Sequence, residues 1–192
     1  MDLQWLFVGL GNPGQKYEAN RHNVGFAVID AIVESFSAAP FKKMTTLTEV
    51  SSFFLKENKI FLAKPLTFMN LSGQAVRFLM DFYKIPMEKI YVFHDDIDLE
   101  LGRVKIKKGG GNGGHNGLRS IDSIIGNDYW RIRIGVGRPV EKSMVSSYVL
   151  SDFLCDEHIT VRSIVHEISS NIQLLLLDCK QLESKLNTII KT

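Results

Sequence analysis

Five polar side chains stand where the sequence predicts that strands end or helices begin: Asn12, His22, Asn70, Asp95 and Asn116. In an open α/β sheet, segments that follow strand ends converge on one crevice, so we expect these side chains to lie together. A histidine can act as a general base on water, a nearby carboxylate can fix its tautomer, and amides can hold a substrate carbonyl. These residue types therefore predict a hydrolytic site whose nucleophile is water.

Other interpretations of the same residues stay open at this point. His22 alone is typical of a capping or core histidine, and Asn70 alone is typical of a helix N-cap. The chain has no G-x-S-x-G motif for a serine nucleophile. A metal site without any recognised ligand spacing could be drawn from five side chains: His22, His94, Asp95, Asp96 and His115.

Two glycine-rich segments raise the question of a nucleotide site. Gly9–Gly14 matches G-x-G-x-x-G after a strand, but the helical pattern begins several residues later and Asp30 lies inside that helix. Both features disfavour a dinucleotide site. Gly109–Gly114 is followed by His115-Asn116 instead of the Lys-Ser/Thr of a P-loop. Because glycines let the backbone approach a ligand closely, we expect this second segment to face a ligand.

Positive charge is concentrated in one part of the chain. The net charge is +2, but eight basic residues between Arg103 and Arg138 face only Asp122 and Asp128, which gives that stretch +6 and the remainder −4. The stretch is either a solvated basic face or a site for a polyanion. Charge alone does not separate these alternatives.

Hydrophobic periodicity predicts the elements that position these residues. The apolar run over residues 3–10 predicts a strand buried on both faces, and residues 47–55 and 59–64 predict a hairpin. Apolar residues at spacings of three and four predict helices over Val24–Phe36, from Asn70 to before Pro86, and over Leu118–Ile125.

The remaining elements complete an α/β pattern. Ile90–Phe93 predicts a short strand that ends at His94, and Arg131–Gly137 predicts another. Asp156 to about Cys179 predicts one long amphipathic helix, followed by a weaker helical tail. Strands that alternate with helices predict a single α/β domain over residues 1–192, with a mixed, twisted sheet flanked by helices.

Composition narrows the class of protein. The 192 residues are 45% hydrophobic and 23% charged, which is typical of a globular chain. No apolar run approaches the ~18 residues that span a bilayer, and the N-terminus lacks the basic region and the small-residue cleavage site of a secretory signal. We therefore expect no association with a membrane. Cys155 and Cys179 stand alone in the sequence, so we expect a reducing, cytoplasmic compartment.

Six motifs occur together in one order. They are VGLGNPG (8–14) followed by Tyr17, RHNVG (21–25), KPLTFMNLSG (64–73), HDDIDL (94–99), GGGNGGHNGLRSI (109–121) and RIRIGVGRP (131–139). Over residues 3–150 the chain resembles the bacterial peptidyl-tRNA hydrolases. The resemblance implies the fold of that family and a monomeric enzyme without metal or other cofactor. It also implies hydrolysis of the ester that joins a peptide to the terminal ribose of tRNA.

The resemblance also implies roles for single residues. His22 matches the catalytic base of the family, Asp95 the carboxylate that holds it, and Asn12 the residue that separates peptidyl-tRNA from aminoacyl-tRNA. Asn112 departs from the family, some of whose members carry His there, and leaves this set intact. Four residues match contacts with the peptide and the tRNA end: Tyr17, Phe68, Asn70 and Asn116.

The basic stretch gains a partner from the same resemblance. Lys105, Lys107 and Arg133 fall where the family holds tRNA phosphate. Such contacts are independent of sequence and suit an enzyme that accepts every tRNA. The alternative is a non-enzymatic RNA-binding module of the same fold, which the intact set of His22, Asp95, Asn12 and Asn70 disfavours.

Overall fold

The computed structural model describes residues 3–189, and their seven strands form one mixed sheet. Residues 1–2 and 190–192 of the predicted domain lie outside the described residues. The sheet order is β2-β3-β4-β1-β5-β7-β6. The strands are β1 (Leu3–Gly9), β2 (Lys42–Lys43), β3 (Thr48–Leu55), β4 (Asn58–Pro65), β5 (Ile90–Asp96), β6 (Val104–Lys108) and β7 (Trp130–Gly135).

The four central strands are parallel and the flanking strands are antiparallel. β1 pairs in parallel with β4 and β5, and β5 pairs in parallel with β7. β3 and β6 run antiparallel to β4 and β7 at the two sides of the sheet. The predicted hairpin and mixed sheet are confirmed, and the carboxyl ends of β1, β5 and β7 meet at one edge.

Helices cover both faces of the sheet, which explains why β1 is apolar from Trp5 to Val8. The helices are α1 (Val24–Ser35), α2 (Ser72–Tyr83), α3 (Asn116–Ile125), α4 (Val145–Val149), α5 (Cys155–Ser170), α6 (Leu174–Leu177) and α7 (Cys179–Ile189). Phe7 packs on one face among residues of α1 and α5, whereas Leu6 and Val8 pack on the other face among residues of α2 and α3.

Two glycines bring the start of α1 against the ends of the central strands. A Cβ atom on Gly9 would lie 2.2 Å from the Gly25 carbonyl oxygen, and one on Gly25 would lie 2.4 Å from the Phe93 carbonyl oxygen. Backbone contacts this close exclude any side chain at either position. The turn that precedes α1, Arg21–Asn23, is therefore held directly above the end of β5.

Three predicted boundaries are wrong, and tertiary pairing explains two of them. β5 continues through Asp96, because His94–Asp96 pair with Arg133–Gly135 of β7. β7 ends at Gly135 instead of Gly137. Asn70 lies in a 3-10 turn, Met69–Leu71, and α2 begins only at Ser72.

The prediction of one long C-terminal helix is also wrong, since α5 ends at Ser170 and two further helices follow. The chain turns at Asn171, whose Nδ2 donates to the Glu167 carbonyl oxygen at 2.9 Å. This turn lets α7 reach the sheet edge, where Glu183 and Asn187 accept hydrogen bonds from the Ile106 and Val104 amides of β6. Among the described residues, no helix is both long and apolar enough to cross a bilayer.

Candidate active site

A cavity of about 1020 Å³ opens at the edge where β1 and β5 end. Residues from strand ends, helix starts and the glycine loop 109–114 line it. Five of the predicted site residues that line it come from different segments of the chain: Asn12, His22, Asn70, Asp95 and Asn116. The expected convergence is observed.

His22 and Asp95 form a buried pair on the floor of this cavity. His22 Nδ1 lies 2.8 Å from Asp95 Oδ1, and the two residues are only 7% and 2% exposed. A carboxylate accepts, so His22 Nδ1 donates, and the neutral ring then carries its lone pair on Nε2. His22 Nε2 forms no hydrogen bond within residues 3–189 and belongs to a cavity-lining side chain, as a general base for water requires.

A second histidine, His115, binds the same carboxylate oxygen. His115 Nε2 lies 2.9 Å from Asp95 Oδ1. Its Nδ1 accepts hydrogen bonds from the amides of Gly117 and Leu118 and so caps the start of α3. Since Nδ1 accepts, the neutral ring carries its proton on Nε2 and donates it to Asp95. Asp95 is therefore held between two imidazole donors.

This role of His115 does not follow from the sequence, which offers the residue only as a candidate metal ligand. A signal was present: a histidine between a glycine loop and a predicted helix start can cap that helix. Capping fixes one nitrogen of the ring and directs the other.

The three side chains offer a possible metal cluster, which can be tested on their hydrogen bonds. One ligand atom each from His22, Asp95 and His115 lie within 4.8 Å of one another. A metal needs a lone pair on each coordinating nitrogen. His115 already uses its Nδ1 lone pair to accept two amides, and its Nε2 proton points at Asp95. The arrangement fits a hydrogen-bonded carboxylate better than a set of ligands.

Burial and the two imidazoles shift the pKa of Asp95 in opposite directions. Burial alone raises the pKa of its carboxyl group, but His22 and His115, through charge and hydrogen bonds, hold the pKa well below its usual range. Asp95 is thus a permanent acceptor. Burial, assisted by His115, also lowers the pKa of the neighbouring His94, which stays neutral.

Asn12 is fixed by its backbone and by its side-chain oxygen. Its Oδ1 accepts from the Met69 amide at 2.9 Å, and its amide N and carbonyl O both bind the Asn23 side chain at 2.9 Å. With Oδ1 occupied, Asn12 Nδ2 is the group left to donate to a ligand in the cavity. Asn12 is therefore an oriented amide donor.

The four predicted substrate-contact residues differ in position. Phe68 is 56% exposed and lines the cavity together with Asn70 and Asn116, which are also exposed. Asn70 does not cap α2, whose N-cap position is Leu71. Tyr17 lies in the turn Gln15–Tyr17, stacked under Lys16 and outside the cavity lining.

The predicted phosphate contacts share one edge of the sheet. Lys105 and Lys107 are exposed on β6, opposite Arg133 and Arg131 of β7. Lys107 and Arg133 line the cavity. The charge of Arg131 is not available to a polyanion, because this 2% exposed residue binds Asp122 Oδ1 at 2.9 Å and the Gly111 carbonyl oxygen at 2.6 Å.

Comparisons with known proteins agree on one family. The family model described as peptidyl-tRNA hydrolase matches residues 6–192. Peptidyl-tRNA hydrolases of Rickettsia bellii and Wolbachia pipientis are 48% and 50% identical over 171 residues, which is 89% of this chain and 92% of each relative.

A solved structure agrees with the sequence relatives. A crystal structure of peptidyl-tRNA hydrolase from Acinetobacter baumannii is 34% identical, with a TM-score of 0.90 over 97% of this chain and 96% of that one. The mixed sheet with flanking helices is thus the fold of known peptidyl-tRNA hydrolases. This chain belongs to the peptidyl-tRNA hydrolase family.

Proposed function

We propose that this chain hydrolyses the ester of peptidyl-tRNA with His22 as general base. The observation that carries the proposal is the 2.8 Å hydrogen bond from His22 Nδ1 to Asp95 Oδ1 on the cavity floor. His22 Nε2 takes a proton from water as the water oxygen attacks the ester carbonyl carbon. The imidazolium then returns that proton to the ribose oxygen as the ester bond breaks, which releases tRNA and the peptide acid.

Asp95 supports the proton transfer from water by fixing the tautomer of His22. It keeps the His22 proton on Nδ1 and stabilises the charge that the ring gains when it accepts a proton from water. His115 donates to the same oxygen and fixes the carboxylate from the other side. A free hydroxyl or thiol nucleophile is unnecessary, because an ester has a better leaving group than an amide.

Asn12 distinguishes peptidyl-tRNA from aminoacyl-tRNA in this proposal. A blocked amino acid presents a peptide carbonyl, which can accept a hydrogen bond from Asn12 Nδ2. An unblocked one presents a charged ammonium, which sets donor against donor and leaves a buried amide unsatisfied. Hydrogen-bonding sites reject analogues that leave their polar groups unpaired. The 2.9 Å bond from the Met69 amide to Asn12 Oδ1 supports this role, since it prevents the amide from turning over.

The remaining predicted residues bind the ends of the substrate. Phe68 offers an aromatic face on which a terminal base can stack, and Tyr17 contacts the tRNA end from outside the cavity lining. Asn70 and Asn116 offer amide groups to the ribose and the peptide backbone. Lys105, Lys107 and Arg133 bind phosphates of the acceptor arm, which carry no sequence information.

The setting of the enzyme follows from its substrate. We infer that residues 1–192 form one domain that acts as a monomer in the cytoplasm, where peptidyl-tRNA arises. The two cysteines are free, which suits a reducing compartment.

The test compares two substrates. The enzyme is incubated with N-acetyl-aminoacyl-tRNA and with unblocked aminoacyl-tRNA, and release of free tRNA is measured. We expect release from the blocked substrate only, and Asn12→Ala to reduce that preference by about tenfold or more. Release from neither substrate would favour the RNA-binding alternative, and an unchanged preference in Asn12→Ala would remove Asn12 from the proposal.

A further inference from the structure

Asp96 follows Asp95 at the end of β5 and uses both of its carboxylate oxygens. Oδ2 accepts from Arg133 Nε at 2.7 Å, and Oδ1 accepts from the Asp98 amide at 2.9 Å. The Asp96 side chain is only 12% exposed, and the hydrogen bond from the Asp98 amide in the turn after the strand fixes its Oδ1. The carboxylate therefore has a single orientation towards Arg133.

The contact on the arginine side leaves its terminal groups free. A guanidinium has five N–H donors, and the Asp96 contact uses the one on Nε. Within residues 3–189, neither terminal amino group of Arg133 forms a hydrogen bond. The Arg133 side chain is 25% exposed and lines the cavity, so these two groups form a fork that points to solvent or ligand.

Arg131, on the same face of β7, shows the opposite arrangement. Both of its terminal amino groups are occupied, one by the Gly111 carbonyl oxygen and one by Asp122. That guanidinium is buried and holds the glycine loop. The two arginines are two residues apart but bind their carboxylates with different atoms. Arg131 uses a terminal amino group and has a structural role, whereas Arg133 uses Nε and keeps both terminal amino groups for a ligand.

We propose that Asp96 is a positioning residue for tRNA binding. It holds Arg133 by Nε so that the two terminal amino groups meet a phosphate of the acceptor arm as a fork. A flexible arginine loses side-chain entropy when it is fixed on a ligand, and fixing it beforehand removes that loss from binding. The proposal rests on the proposed function at one point, the contact between Arg133 and phosphate.

Electrostatics alone predicts the opposite effect of removing Asp96 on the affinity for tRNA. A carboxylate beside a phosphate site repels the phosphate and competes for the arginine, so its removal should tighten tRNA binding. If Asp96 positions Arg133, its removal weakens tRNA binding although the site gains positive charge. The direction of the change in KM therefore decides the matter.

The experiment measures kcat and KM of Asp96→Ala with full-length N-acetyl-aminoacyl-tRNA and with a short CCA-like fragment that carries the same ester. We expect KM for the tRNA to rise about three- to tenfold, with kcat and the fragment reaction within about twofold of wild type. Asp98→Ala is the matched control, because it removes the same charge two residues away, from a carboxylate that binds Arg138 by a terminal amino group and so occupies that group instead of holding it ready for a phosphate. There KM should fall or stay unchanged.

Two further variants keep the result decisive. Asp96→Asn has one acceptor oxygen for two donors, so it should give a smaller rise in KM and decides the question if the alanine variant does not fold. In an Arg133→Gln background, Asp96→Ala should raise KM no further.

A fall in KM for Asp96→Ala, or an equal rise in the Arg133→Gln background, overturns the proposal. If Arg133→Gln raises KM but Asp96→Ala does not, only the positioning role fails. If Arg133→Gln leaves KM unchanged, the phosphate contact of the proposed function fails as well.

Discussion

The buried cluster at the cavity floor and the exposed strand β6 are built in opposite ways. His22, Asp95 and the side chain of His115 are almost fully enclosed, and each ring nitrogen that faces Asp95 is held at 2.8 or 2.9 Å. Lys105 and Lys107 are exposed, and neither forms an ion pair within the described residues. One region has fixed geometry, and the other has solvent-exposed charge.

The two regions serve different parts of the reaction. General-base catalysis depends on an oriented lone pair, so its groups must be fixed before substrate arrives. Phosphate binding by lysine depends on charge and tolerates movement, so its groups can stay solvated. Changes in the buried cluster should therefore reduce kcat with any substrate, whereas changes on β6 should raise KM with full-length tRNA only.

The largest effect is expected for His22→Ala. Loss of the base should lower kcat by about 10²- to 10⁴-fold, while the affinity for tRNA stays within about threefold, because the base acts on water. Steady-state kinetics and tRNA binding measure the two quantities. His158→Ala, on the exposed face of α5, is the matched control and should retain wild-type turnover. Retention of more than about a tenth of turnover in His22→Ala would contradict the assignment.

Asp95→Asn should come next. The amide has one oxygen for two imidazole donors, and its Nδ2 can donate to His22 Nδ1, which moves the ring proton to Nε2 and blocks the base. Because the base is blocked, we expect kcat to fall by about 10²- to 10⁴-fold in a folded protein, with KM little changed. An unchanged turnover would show that Asp95 does not hold the base.

A smaller effect is expected on β6, in Lys105→Ala and Lys107→Ala. If both residues meet phosphates, KM for peptidyl-tRNA should rise with salt in wild type, because binding releases counterions. Each substitution should flatten the log–log dependence on salt by about 0.7–0.9, with kcat at saturation unchanged. Silent substitutions would mean that these lysines form a solvated face.

The smallest effect concerns the stability of the buried cluster and its dependence on pH. Burial and His115 lower the pKa of His94 below its ordinary 6.5. From pH 6.5 downward the unfolded chain binds this proton and the folded chain does not, so the free energy of unfolding falls as pH falls. His94→Asn keeps a donor for the Asp95 carbonyl and should remove up to about 1.4 kcal/mol per pH unit of that dependence. Denaturant unfolding between pH 4 and 7 measures it, and an unchanged dependence would contradict the burial of a neutral ring.

Periodicity predicted the sheet and its helices because the apolar patterns of β1, β3, β4, α1 and α3 each report one local environment. The meeting of His22 with Asp95 also followed from the sequence, since both lie where strand ends converge. The bond from His115 to Asp95 did not follow, because it depends on a cap that only the folded start of α3 creates. Likewise, a charge count cannot show that Arg131 is paired with Asp122 and buried.

The broken C-terminal helix shows the same limit. The amphipathic pattern continues through Asn171, but burial of Leu182 and Leu186 against the rest of the core favours a turn there. Tertiary packing decides such a boundary, and local spacing does not record it.

The separation of chemistry from tRNA binding is tested most directly by one ratio. The measurement is kcat/KM for full-length N-acetyl-aminoacyl-tRNA and for a CCA-like fragment with the same ester, in wild type, Asp95→Asn and Lys105→Ala/Lys107→Ala. We expect Asp95→Asn to lose about the same factor on both substrates, because the tautomer of His22 matters to each. We expect the double lysine variant to lose activity on the full-length tRNA alone. Equal losses of the lysine variant on both substrates would contradict this separation, since they would mean that β6 acts through the glycine loop and the site itself.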